Sequence, residues 1–188
     1  MPILKPEFPT VGHDILVNIL SELGETEDPD ALGGALVQEI SDPLPVHSLG
    51  LMEVAGGAVP QQNDQPVSWR YMLFKPDGVS SADLNSVGNA SQVGSFNRTT
   101  KGKIVDRLYE ALLFVDEKFT DAEETYEIRI IEIPSINQAA VWLFSDENSL
   151  FIPYLDAERL KGAPPSVKEG FLQDAAEQAQ HRLGDSLN

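Results

Sequence analysis

The residues best equipped for chemistry lie between positions 94 and 107. Here the run Gly-Ser-Phe-Asn-Arg-Thr-Thr-Lys-Gly-Lys leads into a helical pattern. Arg98, Lys101, Lys103 and Arg107 supply positive charge, and Thr99 and Thr100 supply hydroxyls. The N–H groups of a helix start add further donors, a combination suited to a phosphate, a carboxylate or an acidic partner. Arg70 joins them as a candidate contact because it stands in Trp-Arg-Tyr, the three residue types that dominate interface hot spots. The run is not a P-loop. Asn97 stands where that motif needs its first glycine, and Ile104 where it needs a serine or threonine.

Other chemistries find less support. His13, His47 and His181 are far apart and have no metal-ligand spacing around them. Neither a dinucleotide-binding glycine fingerprint nor a Gly-x-Ser-x-Gly elbow occurs. With no cysteine, thiol catalysis, a disulfide framework and a thiolate zinc site are excluded. Thirty acidic residues would allow paired carboxylates, but their runs at 25–30, 121–124 and 146–147 read as turns and solvated faces. No catalytic residue, cofactor or metal is therefore expected, and the pattern leans away from an enzyme.

The elements that must position these residues follow from periodicity. Apolar residues repeat at helical spacing over 13–23, 104–119 and 167–183, with Gly24 and Gly184 as stops and Ser166 as a cap for the last. The stretch 67–74 alternates as a strand, placing Val67, Trp69, Tyr71 and Leu73 in a core and turning Arg70, Met72 and Phe74 the other way. Lys75-Pro-Asp-Gly is a turn. Residues 126–154 hold three apolar runs split by short polar breaks, a three-stranded meander with a fully apolar middle strand. Trp142 in that strand is a core anchor, and Pro153 places the last run at a sheet edge or a strand end. The slip in alternation at Ile130–Ile131 predicts a bulge or burial on both faces. Glu127 and Arg129 are expected on a solvated face.

Residues 1–12, with three prolines, read as an extended arm. The stretch 79–103, rich in Ser, Gly, Asn and Thr, reads as a long polar loop, with one helical turn at 82–87. Residues 156–165 read as a linker to the C-terminal helix. Signals over 31–58 conflict, between a short helix at 35–40 and a strand or helical turn at 49–54. The expected fold is one α+β domain over 1–188: a mostly antiparallel sheet with about three helices packed mainly on one face.

Charge bounds the partners. At −17 over 188 residues the chain repels nucleic-acid phosphates and anionic lipid, so neither direct nucleic-acid nor membrane binding is expected. Acids dominate residues 1–66 and 111–188, whereas bases outnumber acids between 67 and 110. No stretch approaches 18 apolar residues, and the opening MPILKPEFPTVGHD lacks the pattern of a signal peptide, which implies a soluble cytoplasmic protein. The reading that follows is an acidic, non-catalytic interaction domain (adaptor, accessory subunit or inhibitor-like) for a protein partner with basic character. The alternative is a small enzyme or phosphate-binding protein that uses residues 94–107.

Overall fold

The computed structural model describes residues 3–4, 8–24, 37, 39–61, 64–87 and 89–185. In chain order its elements are β1 (Ile3–Leu4), α1 (Val11–Gly24), β2 (Glu39–Ile40), β3 (Leu44–Ser48), α2 (Leu51–Ala55), β4 (Ser68–Lys75), β5 (Gly78–Val87), β6 (Asn89–Lys101), α3 (Lys103–Phe119), β7 (Tyr126–Ile133), a 3-10 turn (Pro134–Ile136), β8 (Gln138–Phe144), β9 (Ser149–Leu155), α4 (Ala157–Leu160) and α5 (Phe171–Asp185). The fold class is the expected one, α+β with mostly antiparallel pairing. β1 and β3 each pair parallel with β7, whereas β2–β4, β4–β5, β5–β6, β7–β8 and β8–β9 are antiparallel. The chain forms two compact units, one of residues 1–6, 46–64 and 107–188 and the other of 7–45 and 65–106.

In the unit of residues 7–45 and 65–106, β4 and β5 form a hairpin in register from Ser68↔Asn85 to Lys75↔Gly78. The two-residue loop Pro76-Asp77 works because proline presets φ and Gly78 adopts φ +144°. Trp69, Tyr71 and Leu73 of β4, with Ala82 and Leu84 of β5, pack against Leu16 and Leu20 of α1. A Cβ on Gly12 would collide with the Tyr71 hydroxyl, so only glycine allows this approach of helix to sheet.

The long polar loop expected over 79–103 is instead β5 and β6, paired antiparallel, and the helical turn at 82–87 is strand. Its polar residues alternate as a strand requires: Ala82 and Leu84 face the apolar core, while Ser81 and Asp83 face the other side. Register shifts between Asp83 and Val87 bend the ladder and accommodate the Ser-Gly-rich sequence.

In the other unit the meander is as the sequence implied: β7–β8–β9, antiparallel throughout. The β7–β8 register runs unbroken from Glu127↔Phe144 to Ile133↔Gln138, so the slip at Ile130–Ile131 reflects burial of both faces rather than a bulge. The irregularity falls between Ala139 and Ala140, opposite Pro153. One face packs Ile131, Ile133, Ala140, Trp142 and Phe151 against Val54 of α2 and Phe171, Ala175 and Ala179 of α5. Full burial of one such side chain is worth about 1.5–3 kcal/mol, so this face alone outweighs any surface ion pair in the unit.

Four assignments changed. Residues 156–165 are not a plain linker: Asp156 caps α4 by accepting from Arg159 N at 2.8 Å, and Arg159 is buried. The final helix starts at Phe171 rather than near Ser166, because Lys168 N is bonded to Phe151 O in the neighbouring strand. Residues 49–54 contribute to helix α2, whereas Glu39–Ile40, placed in a short helix by the sequence, pair with β4 as strand. Much of the remaining ambiguous region, 31–36 and 38, lies outside the described residues.

Candidate functional site

The strand ladder, not a loop, places most of the candidate residues. Arg70, Asp83 and Arg98 are register partners across β4, β5 and β6, and their side chains share one face. Arg70 donates to Asp83 from Nε to Oδ1 at 2.8 Å and from NH2 to Oδ2 at 2.8 Å, a planar bidentate pair. Arg98 Nε reaches Asp83 Oδ2 at 2.9 Å. Asp83 is 1% exposed, Arg70 4%, and the Arg98 side chain 47%. The arrangement therefore opens to solvent only along Arg98. Arg70, expected as a surface contact, is instead an internal cation held by a buried carboxylate.

The remaining candidates do not gather around this line. Thr100 lies on the Arg70 face of β6, whereas Thr99 is opposite Ala82 and belongs to the other face. Lys101 ends β6 and Lys103 begins α3, both exposed, with Gly102 between them at φ +85°. Arg107 belongs to the other unit and comes within 3.5 Å of Leu160 O. Asp83 was hidden from the sequence reading because its segment carries loop composition. The signal that would have found it is the alternation of Asp83 with Ala82 and Leu84.

The other unit also turns its cations inward. Arg129, expected on a solvated face, is 5% exposed. Its guanidinium carbon lies 4.9 Å from the Trp142 ring centre and 4.2 Å from that of Phe144, while Nε donates to Glu127 at 2.8 Å. His47 meets Trp142 edge-on at 5.4 Å. Its pKa is pushed down to about 4, first by burial and then by the Arg129 charge, against a small opposing pull from Asp64. It is thus a neutral imidazole at ordinary pH. Arg159, 5% exposed, donates to Ala163 O and to Glu110 Oε2, the latter at 2.5 Å. Burial alone would lower the pKa of Lys168, but its hydrogen bond to Asp174 and the charges of Asp156, Asp174 and Glu158 outweigh that and raise it.

What faces water is mostly acid. Asp116, Glu117, Asp121 and Glu123 are exposed along the end of α3 and the turn after it, as are Asp146, Glu147, Glu158, Glu169, Glu177 and Asp185. Exposed bases are few by comparison: Arg98, Lys101, Lys103, Lys118, Lys161 and Arg182 among the described residues. Among those residues, no group of three or more His, Cys, Asp or Glu is placed to hold a metal ion. No helix among them is long and apolar enough to cross a membrane. Compared with protein-family models, curated proteins and solved structures, the chain matches none.

Proposed function

We propose that this chain is a non-catalytic interaction domain whose acidic exterior docks a protein partner carrying a basic surface, in the cytoplasm. One observation carries the reading: Arg129 and Arg159 are buried while their carboxylate partners Glu127 and Glu110 keep 25% and 55% of their exposure, and exposed acids outnumber exposed bases among the described residues, so the side chains that face water are mostly acidic. A surface of one sign steers a partner of the opposite sign and raises its rate of encounter.

The test is retention on the immobilised chain at low and at raised salt. Basic proteins should be held at low ionic strength and released as salt screens the exterior field. Retention of neutral or acidic proteins alone, indifferent to salt, would remove the charge argument.

A further inference from the structure

The edge of β9 carries a more specific recognition element. Among the described residues β9 pairs only with β8. Its outer side is met by the 161–170 segment at a single rung, Lys168 N to Phe151 O at 2.8 Å. In antiparallel pairing the N–H and C=O of one residue point to the same side, so Phe151 N–H also faces outward, as do the polar groups of Ser149 and Pro153. The Ser149 N–H is occupied by Asn148 Oδ1 at 2.9 Å, and Pro153 has no N–H. Phe151 N–H and the C=O groups of Ser149 and Pro153 are then the ladder groups that face outward beside the segment.

They border a groove of about 380 Å³ between the start of β9 and the start of α5. Leu150, Phe151, Val167 and Leu172 give it apolar walls, and Glu169 and Gln173 line it as well. Glu169 is the carboxylate that lines it, and the turn entering β9, outside the lining, carries exposed Asp146 and Glu147. The one cation lining the groove, Lys168, already has its ammonium 3.1 Å from Asp174 and 3.6 Å from Asp156.

We infer that this groove receives an extended lysine- or arginine-bearing segment of the partner, which adds to β9 as a strand through Phe151 N–H. Outward ladder groups supply backbone pairing, the apolar walls take alternate side chains, and the carboxylates meet the intervening cations. The inference rests on the proposed basic-partner reading and narrows it to one edge.

The probe is a synthetic peptide of alternating valine and lysine, titrated onto the full chain by fluorescence anisotropy, with amide exchange followed by NMR. Binding should slow exchange of the Phe151 amide. N-methylation of the peptide backbone should weaken binding at least tenfold, because strand addition needs its N–H groups (about 1.4 kcal/mol per factor of ten). Glu169→Lys, at an exposed position, should weaken it about fivefold, and Gln173→Trp should fill the groove and abolish it. No binding by the wild-type chain, unchanged affinity after N-methylation or in both variants, or unprotected Phe151 would each overturn the assignment. If Glu169→Lys and Gln173→Trp still retain basic proteins in the salt-dependent assay as the wild type does, the groove fails while the charge reading stands. If the wild type retains none, the charge reading itself fails.

Discussion

Two buried arginines, one in each unit, are held in contrasting ways. Arg70 is neutralised by Asp83, which is 1% exposed and shared with Arg98. Arg129 is flanked by the faces of Trp142 and Phe144 and paired with Glu127, whose side chain keeps 25% of its exposure. In the first arrangement two arginines share one buried carboxylate. In the second the cation rests on ring quadrupoles and on a carboxylate that water can still reach. A buried ion pair adds little over an apolar replacement of both partners, but removing one partner strands the other. The two arrangements should therefore fail very differently.

Asp83→Asn gives the largest expected effect. It removes the buried carboxylate's charge from the bidentate pair with Arg70 and should cost about 3–5 kcal/mol in urea unfolding. A loss under about 1 kcal/mol would mean that the Asp83 line contributes no more than a surface pair.

His47, beside the Arg129 stack, gives the next. Its folded pKa of about 4 lies below the ordinary 6.5, so the unfolded chain takes up the proton first as pH falls. The stability it contributes is whole above the ordinary value, declines as pH drops from there toward about 4, and is lost below, about 3 kcal/mol in all. The destabilisation by His47→Gln should accordingly be smaller near about pH 5 than near about pH 7.5, by about 2 kcal/mol. A penalty that does not vary with pH would show that His47 is not held neutral.

Arg129→Met should cost least, about 1–2 kcal/mol, since Glu127 remains partly hydrated and methionine keeps contact with the rings. A cost equal to that of Asp83→Asn would erase the contrast between the two arrangements.

The same contrast explains what could be read from the sequence. The meander over 126–154 was legible because its buried residues are apolar, and apolar runs announce burial directly. The β5–β6 hairpin was not, because Asp83 is buried by partnership rather than by hydrophobicity, and polar alternation in a Ser-Asn-Gly background looks like loop. The start of α5 was misplaced because a tertiary bond, Lys168 N to Phe151 O, competes with the local Ser166 cap. Of the candidate residues, Arg98 keeps 47% of its side-chain exposure, but its partner Asp83 lies 15 positions away in the chain and only strand pairing brings them together. The β9 edge was anticipated through Pro153; the groove beside it depends on the path of residues 161–170, which periodicity does not encode.

The chain has only two tryptophans, and they are divided evenly: Trp69 lies in the core under α1 and Trp142 in the core under α5. Each compact unit thus contains its own intrinsic fluorophore, with no cysteine to complicate chemical labelling. Replacing either indole by phenylalanine leaves an optical reporter for one half alone. Superimposable melting traces from the two variants would mark a single cooperative transition, and separated traces would give the order in which the halves come apart.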